Sequence, residues 1–113
     1  MAKNVNVVVV RGGVPIVERM DPTNLVKVQG LVGGYVETFR LPAFDLVLLV
    51  NEEGRMQFSK STRTPFDQIP EVWGDYVIGA ISQSSEKLFY GLLPAKCRKI
   101  VSMYEKLHAR RLS

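Results

Sequence analysis

Polar and apolar positions alternate through Asn4-Val5-Asn6-Val7 and then give way to the unbroken run Val8-Val9-Val10. β-Branched side chains crowd the preceding turn of a helix, so such a run predicts a strand buried on at least one face. Gly12-Gly13 ends it, and Val14 to Arg19 is the predicted hairpin partner. Asp21-Pro22 then predicts a helix start, with Asp at the N-cap and Pro at the first helical position, where its missing N–H costs nothing. Leu25, Val28 and Val32 fall on the inner face of that short helix, and Gly30 or Gly33 supplies a left-handed exit.

The two-residue period returns at Tyr35. Tyr35, Glu37, Phe39 and Leu41 take one side, Val36, Thr38 and Arg40 the other, until Pro42 interrupts the strand. Asp45 to Val50 reads as a more apolar strand. Asn51-Glu52-Glu53-Gly54 reads as a tight reversal with a positive φ at Gly54, and Arg55 to Ser59 as the returning hairpin strand. Pro65, Pro70 and Gly74 predict an irregular connection over 60–74 with room for one helical turn around Phe66 to Val72. Tyr76 to Ile81 is a strand in which Gly79 marks a bulge or a close backbone approach, and Leu88 to Leu93 reads as a further strand. From Pro94 onward Cys97, Ile100, Val101, Tyr104 and Leu107 follow the 3.6-residue period of an amphipathic helix. The pattern is α+β: a small, mainly antiparallel sheet, a short helix after the first hairpin and an amphipathic C-terminal helix, in a single domain over residues 1–113.

Composition narrows the chemistry. The longest apolar runs, Val5 to Val10 and Leu46 to Val50, are far shorter than the ~20 residues of a membrane helix, and the N-terminus shows no signal-peptide pattern, so a cytoplasmic protein without membrane contact is expected. One cysteine and one histidine leave no ligand set for structural zinc. The formal charge of +4 is uneven: residues 94–113 hold six basic groups against Glu105 alone, while the rest of the chain is close to neutral.

Three sets of residues invite a functional reading. Gly33 and Gly34, leaving a helix, can turn backbone N–H groups toward a phosphate, although no Walker-type Lys-Ser/Thr follows and two glycines so placed more often serve as a helix cap and turn. Arg40, Arg55 and Arg63 are the basic groups that would assist them, with an aromatic such as Tyr35 against a base. Glu52 and Glu53 form a carboxylate pair, but adjacent turn residues point apart and no further carboxylate motif completes a metal site. Cys97 and His108 share a helix face, yet eleven residues at ~1.5 Å each put them about 16 Å apart, beyond any nucleophile–base contact. No catalytic constellation assembles, and neither a cofactor nor a metal is implied. The most suggestive feature is the C-terminal helix, where Lys99, Lys106 and Arg110 share a stripe with Lys96 on its edge, an arrangement suited to phosphates or to an acidic protein.

Val32-Gly33-Gly34-Tyr35-Val36-Glu37, the strand after it, Asn51-Glu52-Glu53-Gly54 and Asp75-Tyr76-Val77-Ile78-Gly79 together resemble an uncharacterised family of small phage, plasmid and bacterial proteins classed as a domain of unknown function. The resemblance runs from about Leu31 to Ile81 and leaves the basic tail outside; Lys60-Ser61-Thr62-Arg63 stands where the family usually carries a Leu-Pro-x-Asn-like segment. It implies a mobile-element accessory role, in the host cytoplasm if phage-encoded. The expectation is therefore a non-enzymatic host-defence inhibitor acting stoichiometrically, by sequestering a nucleotide signal or covering a host protein. The alternative is a nucleic-acid-binding protein using Lys96, Lys99, Lys106 and Arg110. Exposed sheet edges and a terminal amphipathic helix also predict a homo-oligomer.

Overall fold

Valine content dictates the centre of the molecule. Strand β1 (Val5–Arg11) buries four consecutive valines, Val7 to Val10, which is possible only where both faces of a sheet are covered. The computed structural model describes residues 4–112, with side chains through Arg110. Gly12 and Gly13 hold φ of 57° and 82°, the pair of positive values a type I′ turn requires, and return the chain as β2 (Val14–Met20) with Arg11 opposite Val14. After α1 (Leu25–Val32) come β3 (Val36–Leu41), a 3₁₀ turn over Pro42–Phe44 and β4 (Leu46–Asn51), every residue of which is buried. A short α2 (Gly54–Gln57), the brief strands β5 (Ser61–Arg63) and β6 (Glu71–Trp73), β7 (Tyr76–Ala80) and α3 (Pro94–Leu112) complete the order.

Five strands form one antiparallel sheet in the order β2-β1-β7-β4-β3, and β5 pairs with β6 as a separate two-stranded arm. Alternation along the sheet sorts the core into two layers. Val8, Val10, Leu48, Val50, Tyr76 and Ile78 meet Cys97, Ile100 and Tyr104 of α3 together with Phe66 and Val72 of the arm segment. Val7, Val9, Val47, Leu49 and Val77 meet Val28 and Val32 of α1 and Phe89. The fold is the α+β architecture the sequence pattern predicts, with α1 after the first hairpin and α3 packed by its apolar stripe.

Several local expectations are corrected. Asp21 does not cap α1: its carboxylate accepts from the backbone N–H (2.9 Å) and hydroxyl (2.7 Å) of Thr23, and these bonds hold its pKa below the ordinary value. The helix starts three residues later, where Asn24 accepts from the Lys27 N–H at 3.1 Å. Leu25 consequently faces solvent, and Gly33, with φ 86°, is the left-handed exit. Gly54 opens α2 instead of supplying a positive φ, and its missing side chain matters for space, since a Cβ there would lie 2.8 Å from the Trp73 carbonyl oxygen. Arg55 to Ser59 is thus no hairpin strand, because β4 already has β3 and β7 on its two edges. Residues 60–74 are ordered as the arm and not as a helical turn. Leu88 to Leu93 forms no full strand: Tyr90 makes one bridge to Ala80, bonded in both directions at 2.8 and 2.9 Å.

Candidate functional site

The conspicuous strings meet in space, and one side chain joins them. Asn51, 6% exposed at the end of β4, donates through Nδ2 to the Val32 carbonyl (3.1 Å) and to Gln57 Oε1 (2.5 Å). Its Oδ1 accepts the Glu53 N–H at 2.7 Å, while the Glu52 N–H donates to the Tyr35 carbonyl at 2.8 Å. Gln57 closes the clamp by donating to the Gly33 carbonyl (3.3 Å). Gly34 is a glycine for contact reasons: a Cβ would stand 3.0 Å from Asn51 Nδ2.

This arrangement removes the phosphate nest expected at Gly33-Gly34. Both N–H groups donate to the Gln29 carbonyl, at 2.9 and 3.1 Å, so they end α1 and have nothing left for an anion. A cavity of about 310 Å³ does lie beside them, lined by Gln29, Gly34, Tyr35, Asn51, Glu53 and Gln57, and no basic side chain lines it. The three arginines do not converge there. Arg40 sits opposite Val47, toward the far end of β3 from Tyr35. Arg55 lies over the Trp73 ring, 5.1 Å from its centroid, in a neighbouring groove of about 350 Å³ that also holds Glu37, Glu52, Glu53 and Glu71. Arg63 belongs to a third place, beside α3. Glu52 and Glu53 are exposed, and among the described residues no cluster of His, Cys, Asp and Glu could hold a metal ion.

Sequence separates Arg63 from the C-terminal stripe; the fold brings them together. Along α3, Cys97, Ile100, Tyr104 and Leu107 are buried, whereas Lys99, Lys106 and Arg110 are exposed and Lys96 is half-buried. Arg63, at the end of β5, lines a groove of about 270 Å³ with Lys106 and Arg110, floored by Met103 and Leu107 and carrying Asp67 on its wall. Lys96 and Lys99 lie outside this groove, toward the N-terminus of the helix.

A buried aromatic fixes the groove's two walls. Phe66, between Arg63 and Asp67, packs edge-on against Phe44 (ring centroids 5.5 Å apart) and Tyr104 (6.3 Å). The loop that presents it is closed by the Thr64 N–H donating to the Pro70 carbonyl (2.9 Å) and by the Thr64 hydroxyl, which donates to the Ile69 carbonyl and accepts the Phe66 N–H. Within it the Ile69 N–H reaches the Phe66 carbonyl at 3.2 Å, which puts Asp67 and Gln68 at the tip of a β-turn. Below Tyr104 its hydroxyl pairs with that of Tyr76 at 2.6 Å, and burial, followed for Tyr104 by the neighbouring phenol, raises both pKa values well above the ordinary phenol range. Sequence reading missed the arm because strands of three residues carry too short a pattern; Thr62, Val72 and Trp73, all β-formers, were the available signal.

Cys97 is 2% exposed, and burial raises its thiol pKa, the opposite of what a nucleophile needs. Fold and surface thus define an α+β domain with a sheet covered on both faces and a basic groove beside its terminal helix. Residues 5–105 match the family described as Domain of unknown function (DUF3846), and the chain belongs to that family. The match is wider than the motif strings, taking in the first hairpin and α3 as far as Glu105, and it stops just before Lys106. No curated protein and no solved structure gives a significant match to the chain.

Proposed function

We propose that the protein acts without catalysis, as a stoichiometric binding protein whose working surface is the basic face of α3, and that the partner of this face is a nucleic acid. The observation that carries the reading is the convergence of Arg63 with Lys106 and Arg110 in one groove, continued along the helix by exposed Lys99. Cations at such spacing favour a chain of phosphates over a single anion, because each contact releases condensed counterions. Fluorescence anisotropy with single-stranded and duplex oligonucleotides across a salt series tests it. Affinity is expected to fall steeply with salt and depend little on sequence; a flat salt dependence ends the reading. Charge reversal is the proper perturbation, because deleting α3 would also strip Ile100 and Tyr104 from the core.

A second reading keeps the host-directed accessory role that the family resemblance implies, with a host protein as the partner covered. It is favoured by the groove beside the Asn51-to-Gly54 turn, where Val50, Ile69 and Val72 line a cleft with four glutamates and where Met56 is 85% exposed. The nucleotide-sequestering version has less support, since the glycines supply no phosphate seat. Under this second reading Met56→Asp abolishes inhibition of the host target while Lys106→Glu leaves it intact; the reverse result refutes it. Self-association belongs to the same proposal: β2 and β3 are open sheet edges, and β2 exposes Val14, Ile16 and Val17. Light scattering that gives a monomer at high concentration refutes it.

A further inference from the structure

We infer that the groove between the arm and α3 seats the sugar–phosphate backbone of RNA, with Arg63, Lys106 and Arg110 on phosphate and the Asp67 carboxylate accepting a hydrogen bond from a ribose 2′-hydroxyl. The inference rests on the reading of α3 as a nucleic-acid-binding face and goes one step beyond it, to the kind of nucleic acid. A groove meant only for phosphates gains nothing from a carboxylate on its wall, since an anion there repels the ligand. A sugar–phosphate backbone presents both things: phosphate oxygens, which need donors, and in RNA a hydroxyl at every sugar, which needs an acceptor. The 2′-hydroxyl is the group by which a protein tells RNA from DNA at a given site.

Geometry supports a prepared site. Asp67 is held at the tip of a closed β-turn whose preceding residue, Phe66, is 1% exposed and packed on Tyr104. Tyr104 in turn precedes Lys106 by two residues and Arg110 by six on the same helix. The backbone segments that carry Asp67 and the two α3 cations are therefore held against each other through the Phe66–Tyr104 contact, which lowers the ordering cost of recognition. Asp67 also offsets only part of the positive charge of the groove, so a polyanion is still attracted.

The test uses the intact chain and three single-stranded homopolymers of equal length, oligo(U), oligo(dU) and 2′-O-methyl oligo(U), measured by anisotropy at fixed salt. Oligo(U) is expected to bind roughly tenfold or more tightly than oligo(dU), the worth of about one charge-assisted hydrogen bond. The 2′-O-methyl polymer, which has lost the donor, is expected to follow oligo(dU). Asp67→Ala should bring the three affinities together, lowering oligo(U) while oligo(dU) and the 2′-O-methyl polymer stay level or tighten slightly as the repelling charge is removed, with the thermal melt of the variant unchanged. Equal, salt-sensitive binding of oligo(U) and oligo(dU) overturns the ribose assignment and leaves α3 as a nucleic-acid face. An equal loss on all three polymers in Asp67→Ala makes Asp67 a positioning residue for the cations and also overturns it. Absence of binding to any polymer removes both the inference and the reading beneath it.

Discussion

The clamp around Asn51 and the groove beside α3 are built alike and differ in what they leave exposed. Each consists of a loop pinned to the main sheet by one buried group, Asn51 in the first case and Phe66 in the second. At the clamp the polar groups satisfy one another: Gly33 and Gly34 spend their N–H groups on Gln29, and Asn51 spends three bonds on neighbours. At the groove Arg63, Lys106 and Asp67 remain exposed on the walls. The eye-catching strings thus mark a packing problem, in which only glycine and a short amide fit. Recognition of a polyanion needs only charge at suitable spacing, which leaves almost no motif.

The largest effects should come from the supports of the two regions. Ile100→Ala empties a 1%-exposed position between α3 and the sheet and should cost about 2–5 kcal/mol in urea titration. Asn51→Leu strips partners from the Val32 carbonyl, the Gln57 amide and the Glu53 N–H and should cost on the order of 3 kcal/mol. If Asn51→Leu proves silent, the clamp is not what holds the two strings together.

Next in size, the double reversal Lys106→Glu/Arg110→Glu should leave the thermal melt nearly unchanged, because both side chains are exposed. It should lower nucleic-acid affinity at least tenfold at low salt and reduce the log–log salt slope by about 1.4, two contacts at roughly 0.7 each on a single strand. The matched reversal Glu52→Lys/Glu53→Lys at the clamp should leave that affinity nearly unchanged. A gain there as large as the loss at the groove would mean that net charge alone governs binding and that the two regions do not differ in function.

Fold class was legible because periodicity and β-branching report burial directly: Val7 to Val10 read as a strand, and Cys97, Ile100, Tyr104 and Leu107 as a helix face. What was not legible depended on partners remote in sequence. Gly54 has the look of a turn glycine until Trp73 arrives beside it. Asp21 has the look of a cap until Thr23 claims its carboxylate. The stripe on α3 could be read from spacing alone, but Arg63 and Asp67 join it only through Phe66, and nothing local to residues 63–67 announces α3.

A smaller effect should separate the groove's foundation from its surface. Tyr76→Phe or Tyr104→Phe alone leaves the other hydroxyl buried without its partner and should cost about 1–3 kcal/mol, whereas the double variant should cost less than the sum of the two. The pair also predicts a pH dependence. Both phenols keep their protons in the folded state well above 10.0, the ordinary value. The unfolded chain therefore binds fewer protons above that pH, so the stability they contribute is complete below about pH 10 and is lost as pH rises beyond it. Urea titrations between pH 9 and 11 should fall more steeply for the native chain than for the double Phe variant; parallel slopes would refute the coupling.

The smallest effect discriminates most finely, because it compares two glycines three residues apart at the edge of the clamp. Gly30 lies inside α1, has no heavy atom within 4 Å of the place a Cβ would take, and does not adopt positive φ. Gly30→Ala should therefore stabilise the protein by about 0.5–1 kcal/mol, since alanine restricts the unfolded chain and favours helix. Gly33 sits at φ 86° with Phe58 Cζ 3.3 Å from the Cβ position. Gly33→Ala should destabilise by about 1 kcal/mol or somewhat more, from the left-handed backbone and the crowded ring together. Opposite signs in paired thermal melts would establish that Gly33 is fixed by the clamp while Gly30 is free to change. If both substitutions stabilise, α1 does not end at Gly33, the N–H groups of Gly33 and Gly34 are not committed to Gln29, and the contrast between a saturated clamp and an open groove loses its first half.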